Sequence, residues 1–170
     1  DTDSATMTQF GDLIDLGREF KMERADGSPL EFQPTPLLNW NNPTRGTGQK
    51  GCVFVWLHNN RPQVVGSVFT YSIGKQINLR HELHSLSERP LTAWYSDQLT
   101  WKPTEPGIEW MTIKEVAPPR ENARLRLTQM RGIARQYSAT LQQPNGKRHP
   151  LELKSTPLYR YSAEKENVQA

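Results

Sequence analysis

A chain of 170 residues, 35% of them hydrophobic and only one a cysteine, is long enough to bury a core unaided and cannot close an intramolecular disulfide. A charged fraction of 23% with 13 prolines and 11 glycines excludes a disordered composition, and the lack of any apolar run near the roughly 18 residues that span a bilayer excludes a transmembrane helix and a signal peptide within it. A net charge of +3 excludes a uniformly polybasic chain, so an anionic partner has to be argued from where the charges stand.

The first element is an amphipathic helix from Met7 to about Glu23, in which Met7, Phe10, Leu13, Ile14, Leu16 and Phe20 recur at helical spacing. Thr6 is its candidate N-cap and Gly27 its stop. Asp12 and Asp15 early in it, with Lys21 and Arg24 late, suit the helix dipole. Short extended pieces follow at Leu30 to Gln33 and Pro36 to Trp40, whose prolines mark edge strands. Asn41 to Lys50, with Pro43, Gly46 and Gly48, is a loop that lacks the glycine and lysine spacing of a phosphate-binding loop.

The strongest strand signals are Cys52 to His58 and Gln63 to Tyr71, a hairpin joined through Asn59-Asn60-Arg61-Pro62. Cys52, beside Val53, Phe54 and Val55, reads as a small buried apolar residue. Alternation continues from Ile77 to Ser87, placing Ile77, Leu79, His81 and Leu83 on one face and Asn78, Arg80, Glu82, His84 and Leu86 on the other. Shorter strands are expected at Leu91 to Tyr95, Leu99 to Lys102 and Ile108 to Ile113.

Pro118-Pro119 opens a second helix, expected to run to Leu141. At 3.6 residues per turn Ala123, Leu127, Met130, Ala134, Tyr137 and Leu141 fall in one arc, while Arg120, Arg124, Arg131 and Arg135 fall in a neighbouring arc about 60° wide. Leu151 to Lys154 and Leu158 to Tyr161 return as strand, and Ser162 to Ala170 is a polar tail. The expected architecture is a single α+β domain over residues 1–161. A curved antiparallel sheet is packed by the N-terminal helix and the late amphipathic helix, as in cystatin-like or related cone-shaped folds.

Two constellations could carry chemistry. In His81-Glu82-Leu83-His84 the histidines are three apart on a strand and point to opposite faces, which is not the zincin pattern of two histidines one helical turn apart and supplies at most one histidine per face for a metal. Glu82 and His84 share a face and are the candidate acid/base pair of a hydrolase-like enzyme, although structural cross-strand neighbours look the same in a sequence. No catalytic signature, metal-ligand spacing or cofactor-binding motif accompanies them, so no cofactor is expected.

The stronger candidate is the ligand-binding stripe of Arg120, Arg124, Arg131 and Arg135, because guanidinium forks take carboxylates and phosphates bidentately. Charge placement supports it. Residues 118–148 carry seven bases against Glu121, a balance of +6, whereas residues 1–31 carry eight acids against Arg18, Lys21 and Arg24, a balance of −5. The two segments either neutralise each other or leave the basic one for an anionic small molecule or protein. Nucleic acid is disfavoured, because no recognisable docking module is present. The tryptophans Trp40, Trp56, Trp94, Trp101 and Trp110 lie in or beside predicted strands, where most belong to the core and an exposed ring could stack on a ligand.

Several segments together, Pro36-Leu-Leu-Asn-Trp40 with Asn42-Pro43, Val53-Phe-Val-Trp56, His81-Glu-Leu-His-Ser-Leu86, Leu127-Thr-Gln-Met-Arg131 and Pro157-Leu-Tyr-Arg-Tyr161, resemble a group of uncharacterised exported proteins of planctomycete-type bacteria. The resemblance spans roughly residues 36–161. It implies export, with a leader absent from this chain, and a polypeptide that continues beyond the Tyr-Arg-Tyr segment. The expected function is a non-enzymatic exported binding or interaction domain; the rivals are the Glu82/His84 hydrolase and a structural subdomain of a longer protein.

Overall fold

The computed structural model describes residues 10–42, 49–143 and 145–161. Thr6 and Met7, the middle of the glycine loop and the polar tail therefore lie outside the described residues. The fold is α+β, with open, curved antiparallel sheets and two helices. It divides into two compact units, the first holding the residues up to Trp110 together with those from Leu158 onward, the second Met111–Pro157.

In the first unit, helix α1 (Phe10–Arg18) is shorter than its periodicity predicts, because Phe20–Arg24 forms strand β1. Phe20 and Met22 satisfy two periods at once: Phe20 is four residues beyond Leu16, and the pair alternates with Lys21 and Glu23. Pairing with β6 (Leu91–Tyr95), in register from Phe20 opposite Tyr95 to Arg24 opposite Leu91, decides for strand and buries both side chains. Strand β7 (Gln98–Trp101) completes a three-stranded sheet in the order β1-β6-β7.

The larger sheet has the order β2-β3-β4-β5. The two edge pieces expected at Leu30–Trp40 are one edge strand, β2 (Glu31–Asn42), whose register slips between Gln33 and Leu38. Pro34 and Pro36 fall inside that slip, where no ladder donor is required. Strands β3 (Gln49–His58) and β4 (Arg61–Ile73) form the expected hairpin. Asn59 and Asn60 turn it with φ of 49° and 63°, the left-handed pair of a tight hairpin turn that asparagine tolerates. Strand β5 (Gln76–Ser85) closes the order.

One face of this sheet, carrying Phe32, Phe54, Trp56, Val64, Val68, Leu79 and Leu83, meets Leu13 of α1, Phe20 and Met22 of β1 and Leu91 and Ala93 of β6 in one core. Phe54, Trp56, Val64 and Val68 are wholly removed from solvent. Gly17 lets α1 approach: a Cβ there would stand 3.0 Å from the Phe32 ring and 3.2 Å from that of Phe54. Cys52 is buried, as its neighbours predict, and burial pushes its thiol up to about 11.

The second unit departs furthest from expectation. Helix α2 spans Ala123–Ala134, not Pro119–Leu141. Asn122 starts it, its Oδ1 accepting from the backbone N–H groups of Arg124 (2.8 Å) and Leu125 (3.4 Å). Arg135 caps its end, after which the amides of Gln136 and Tyr137 close three-residue turns on Ile133 and Ala134. Residues that continue the helical arc on paper, Tyr137 and Leu141, lie beyond the cap, and Leu141 belongs to strand β8 (Ala139–Gln142), paired with β9 (Arg148–Leu151). The strands expected at Ile108–Ile113 and Leu158–Tyr161 do not form, and β9 occupies Arg148–Leu151 in place of Leu151–Lys154.

No residue of α2 is buried, so its apolar arc does not pack as an amphipathic face. Among the described residues of Met111–Pro157 none is fully buried, Leu127, Ile133 and Ala134 being half-buried. Polar straps hold the unit. The Gln129 side chain donates to the carbonyls of Ala117 (2.6 Å) and Pro118 (3.1 Å) and accepts from the Arg120 amide (3.2 Å), and Arg131 Nε donates to the Ser155 carbonyl (2.9 Å). Among the described residues no helix is long and apolar enough to cross a membrane.

Candidate functional site

Because α2 is three turns long, only Arg124 and Arg131 of the stripe stand on the helix; Arg120 precedes the N-cap and Arg135 is the C-cap residue. Seven residues apart, Arg124 and Arg131 still project within about 20° of one another. Arg120, Arg124 and Arg135 are exposed, while Arg131 is half-buried by its bond to Ser155. Arg126, outside the predicted stripe, donates to the carbonyls of Arg120 (2.9 Å) and Glu121 (2.6 Å), which secures the approach to the helix.

None of these arginines has a carboxylate partner among the described residues. Within the first unit Asp15 pairs with Arg18 (2.8 Å) and Asp26 with Arg24 (3.6 Å) and Arg89 (3.9 Å). The first turn of α2 contains no acid, Glu121 just ahead of the N-cap being the nearest in sequence, so the positive end of the helix dipole adds to the field of Arg120 and Arg124. This is a poor arrangement for helix stability and a good one for attracting an anion.

The same unit carries exposed apolar side chains. Met111, Leu125, Met130, Tyr137, Leu141, Leu151 and Leu153 are each more than half exposed. Counting all of Met111–Pro157, nine bases stand against Glu115, Glu121 and Glu152, a balance of +6. The combination can grip anionic groups by charge-assisted hydrogen bonds and cover apolar ones beside them.

Glu82 and His84 lie together on the outer face of β5, both exposed, opposite Ser67 and Val65 of β4. No hydrogen bond joins them to each other among the described residues. His81 turns to the opposite face, as alternation requires, and packs edge-on against Phe20 with ring centroids 5.1 Å apart. Burial, with a smaller contribution from Arg80, holds its pKa below the ordinary imidazole value. Among the described residues no group of three or more His, Cys, Asp or Glu side chains is placed to hold a metal ion.

Two arrangements were not legible in the sequence. Trp40 lies flat over Gly51, where a Cβ would come within 2.4 Å of the indole, and its Nε1 donates to Ser67 (3.1 Å) beside the Phe69 ring, 5.4 Å away. Gly51 opposite Trp40 in the ladder was the available signal. Trp110, 67% exposed, donates its Nε1 to Glu88 (2.6 Å) under the Arg61 guanidinium, 5.6 Å from the ring centroid. The bond from Trp110, and to a lesser degree the charge of Arg61, lowers the Glu88 pKa. No spacing rule joins residues so far apart in the chain. No family model matches the chain, and no curated protein or solved structure matches it either.

Proposed function

We propose that the protein is a non-enzymatic exported binding domain whose Met111–Pro157 unit engages an anionic partner through Arg120, Arg124 and Arg135. Export rests on the resemblance described above. The binding role is supported above all by the arginines of this unit lacking carboxylate partners among the described residues, in a unit that also carries exposed apolar side chains. Guanidinium groups left without counter-charges in a unit of balance +6 hold carboxylate or phosphate groups at low desolvation cost, and ionic strength screens that attraction.

Arg120→Glu with Arg124→Glu is the informative variant, because acids ahead of α2 and in its first turn favour the helix, so lost binding cannot be ascribed to a frayed helix. The full chain is expected to be retained on immobilised polyglutamate and released by rising salt. The double variant is expected to lose at least about tenfold in affinity with an unchanged circular dichroism spectrum. Retention that is indifferent to both salt and this substitution would overturn the proposal.

A further inference from the structure

The hairpin β8–β9 is a two-stranded sheet on its own, and such a hairpin is marginal without a third strand or a helix against it. Its register pairs Leu141 with His149 and Ala139 with Leu151, and at the turn the Gln143 amide donates to the Lys147 carbonyl (2.9 Å). Backbone groups in an antiparallel ladder alternate between facing the partner and facing away. Residues 139, 141 and 143 therefore bond toward β9, and the N–H and C=O groups of Thr140 and Gln142 point away from it. No strand takes that edge among the described residues, and all of β8 is exposed. The opposite edge is different: Pro150, paired with Thr140, falls on the outward phase of β9 and has no N–H to offer, which blunts that edge.

Side chains around the open edge specify its occupant. Alternation puts Ala139, Leu141, His149 and Leu151 on one face of the hairpin, with Leu141 54% and Leu151 56% exposed. It puts Thr140, Gln142, Arg148 and Pro150 on the other. Arg135 lies four residues before β8, within about 14 Å of chain. A strand laid along β8 would thus meet Leu141 on one face, with Leu151 one strand beyond, and Thr140 and Gln142 on the other, with the charge of Arg148 one strand beyond.

We infer that the free edge of β8 takes an extended partner segment of alternating acidic and apolar residues as a third strand. The inference rests on the binding role proposed above and names its partner class. Main-chain hydrogen bonds from Thr140 and Gln142 supply the pairing, Leu141 and Leu151 cover the apolar side chains, and Arg148 with Arg135 takes the carboxylates.

The test uses the full chain and three synthetic hexapeptides of equal charge: Glu-Val-Glu-Val-Glu-Val, Glu-Gly-Glu-Gly-Glu-Gly, and the first peptide N-methylated at every second residue. The valine peptide is expected to bind at least about tenfold more tightly than the glycine peptide and to lose that advantage on N-methylation, which removes strand hydrogen bonds without touching the protein. Thr140→Pro, which deletes an edge donor, is expected to do the same. Three peptides bound equally, all sensitive to Arg120→Glu with Arg124→Glu, would overturn strand addition while leaving the electrostatic reading intact; no binding of any peptide or of polyglutamate would overturn both. Adsorption to phosphatidylserine vesicles with no peptide binding would assign the surface to a membrane and overturn the inference as well.

Discussion

The two units of this chain solve the folding problem in opposite ways. The first hides Phe54, Trp56, Val64 and Val68 completely between a four-stranded sheet, a helix and a second small sheet, and so draws stability from apolar area withdrawn from water. The second leaves Leu125, Met130, Leu141 and Leu151 in solvent and relies on side-chain bonds from Gln129 and Arg131 to passing carbonyls. Individual bonds of that kind contribute about 1 kcal/mol each, too little to replace a core. On the binding role proposed above, an exterior this apolar and this positively charged is explained by its partner.

The sharpest way to break that contrast is to attack the core. Trp56→Ala is expected to cost about 3–5 kcal/mol, read as a lowered urea midpoint. A loss below about 1 kcal/mol would mean that the first unit is not held by its interior. The Trp56 Nε1–H has no hydrogen-bond partner among the described residues, so the measured cost should fall toward the lower end of that range. A middle-sized effect is expected from Asn122→Ala, which removes the cap of α2 and should cost about 1 kcal/mol. Amide exchange within α2 would then accelerate about fivefold while the β3 and β4 amides keep their protection; faster exchange in both would show that the two units unfold as one. The smallest effect is expected from Leu125→Ala and Met130→Ala, each within about 0.5 kcal/mol of zero. A larger loss from either would reveal an interior in Met111–Pro157.

How much of this was legible follows the same division. The β3–β4 hairpin and the two faces of β5 could be read directly, because alternation there matches the two faces of the ladder and the Asn59-Asn60 turn has its own local chemistry. Phe20 and Met22 fit a helix and a strand equally well until β6 supplies partners, so the end of α1 could not be placed from periodicity. The late helix was over-extended for a related reason: Tyr137 and Leu141 keep the arc of Leu127 and Met130, yet the chain leaves the helix at Arg135 to pair Leu141 with His149. The spacing of the arginines at 120, 124, 131 and 135 could be read, but their division into three exposed groups and one structural strap depends on Ser155, 24 residues from Arg131. Trp110, Arg61 and Glu88 are likewise joined only by tertiary structure.

The want of fully buried residues among the described residues of Met111–Pro157 also bears on how substitutions there would be tolerated. A saturation library sorted only for folded protein would report strong constraint at Val64 or Ala93 and, along α2 and β8, constraint chiefly at the strap residues Gln129 and Arg131. Sorted for binding of the proposed partner instead, the same library would owe every further intolerant position in α2 or β8 to contact with that partner. Subtracting the first map from the second would trace the partner's footprint residue by residue, a separation that a protein whose binding surface doubles as its core cannot provide.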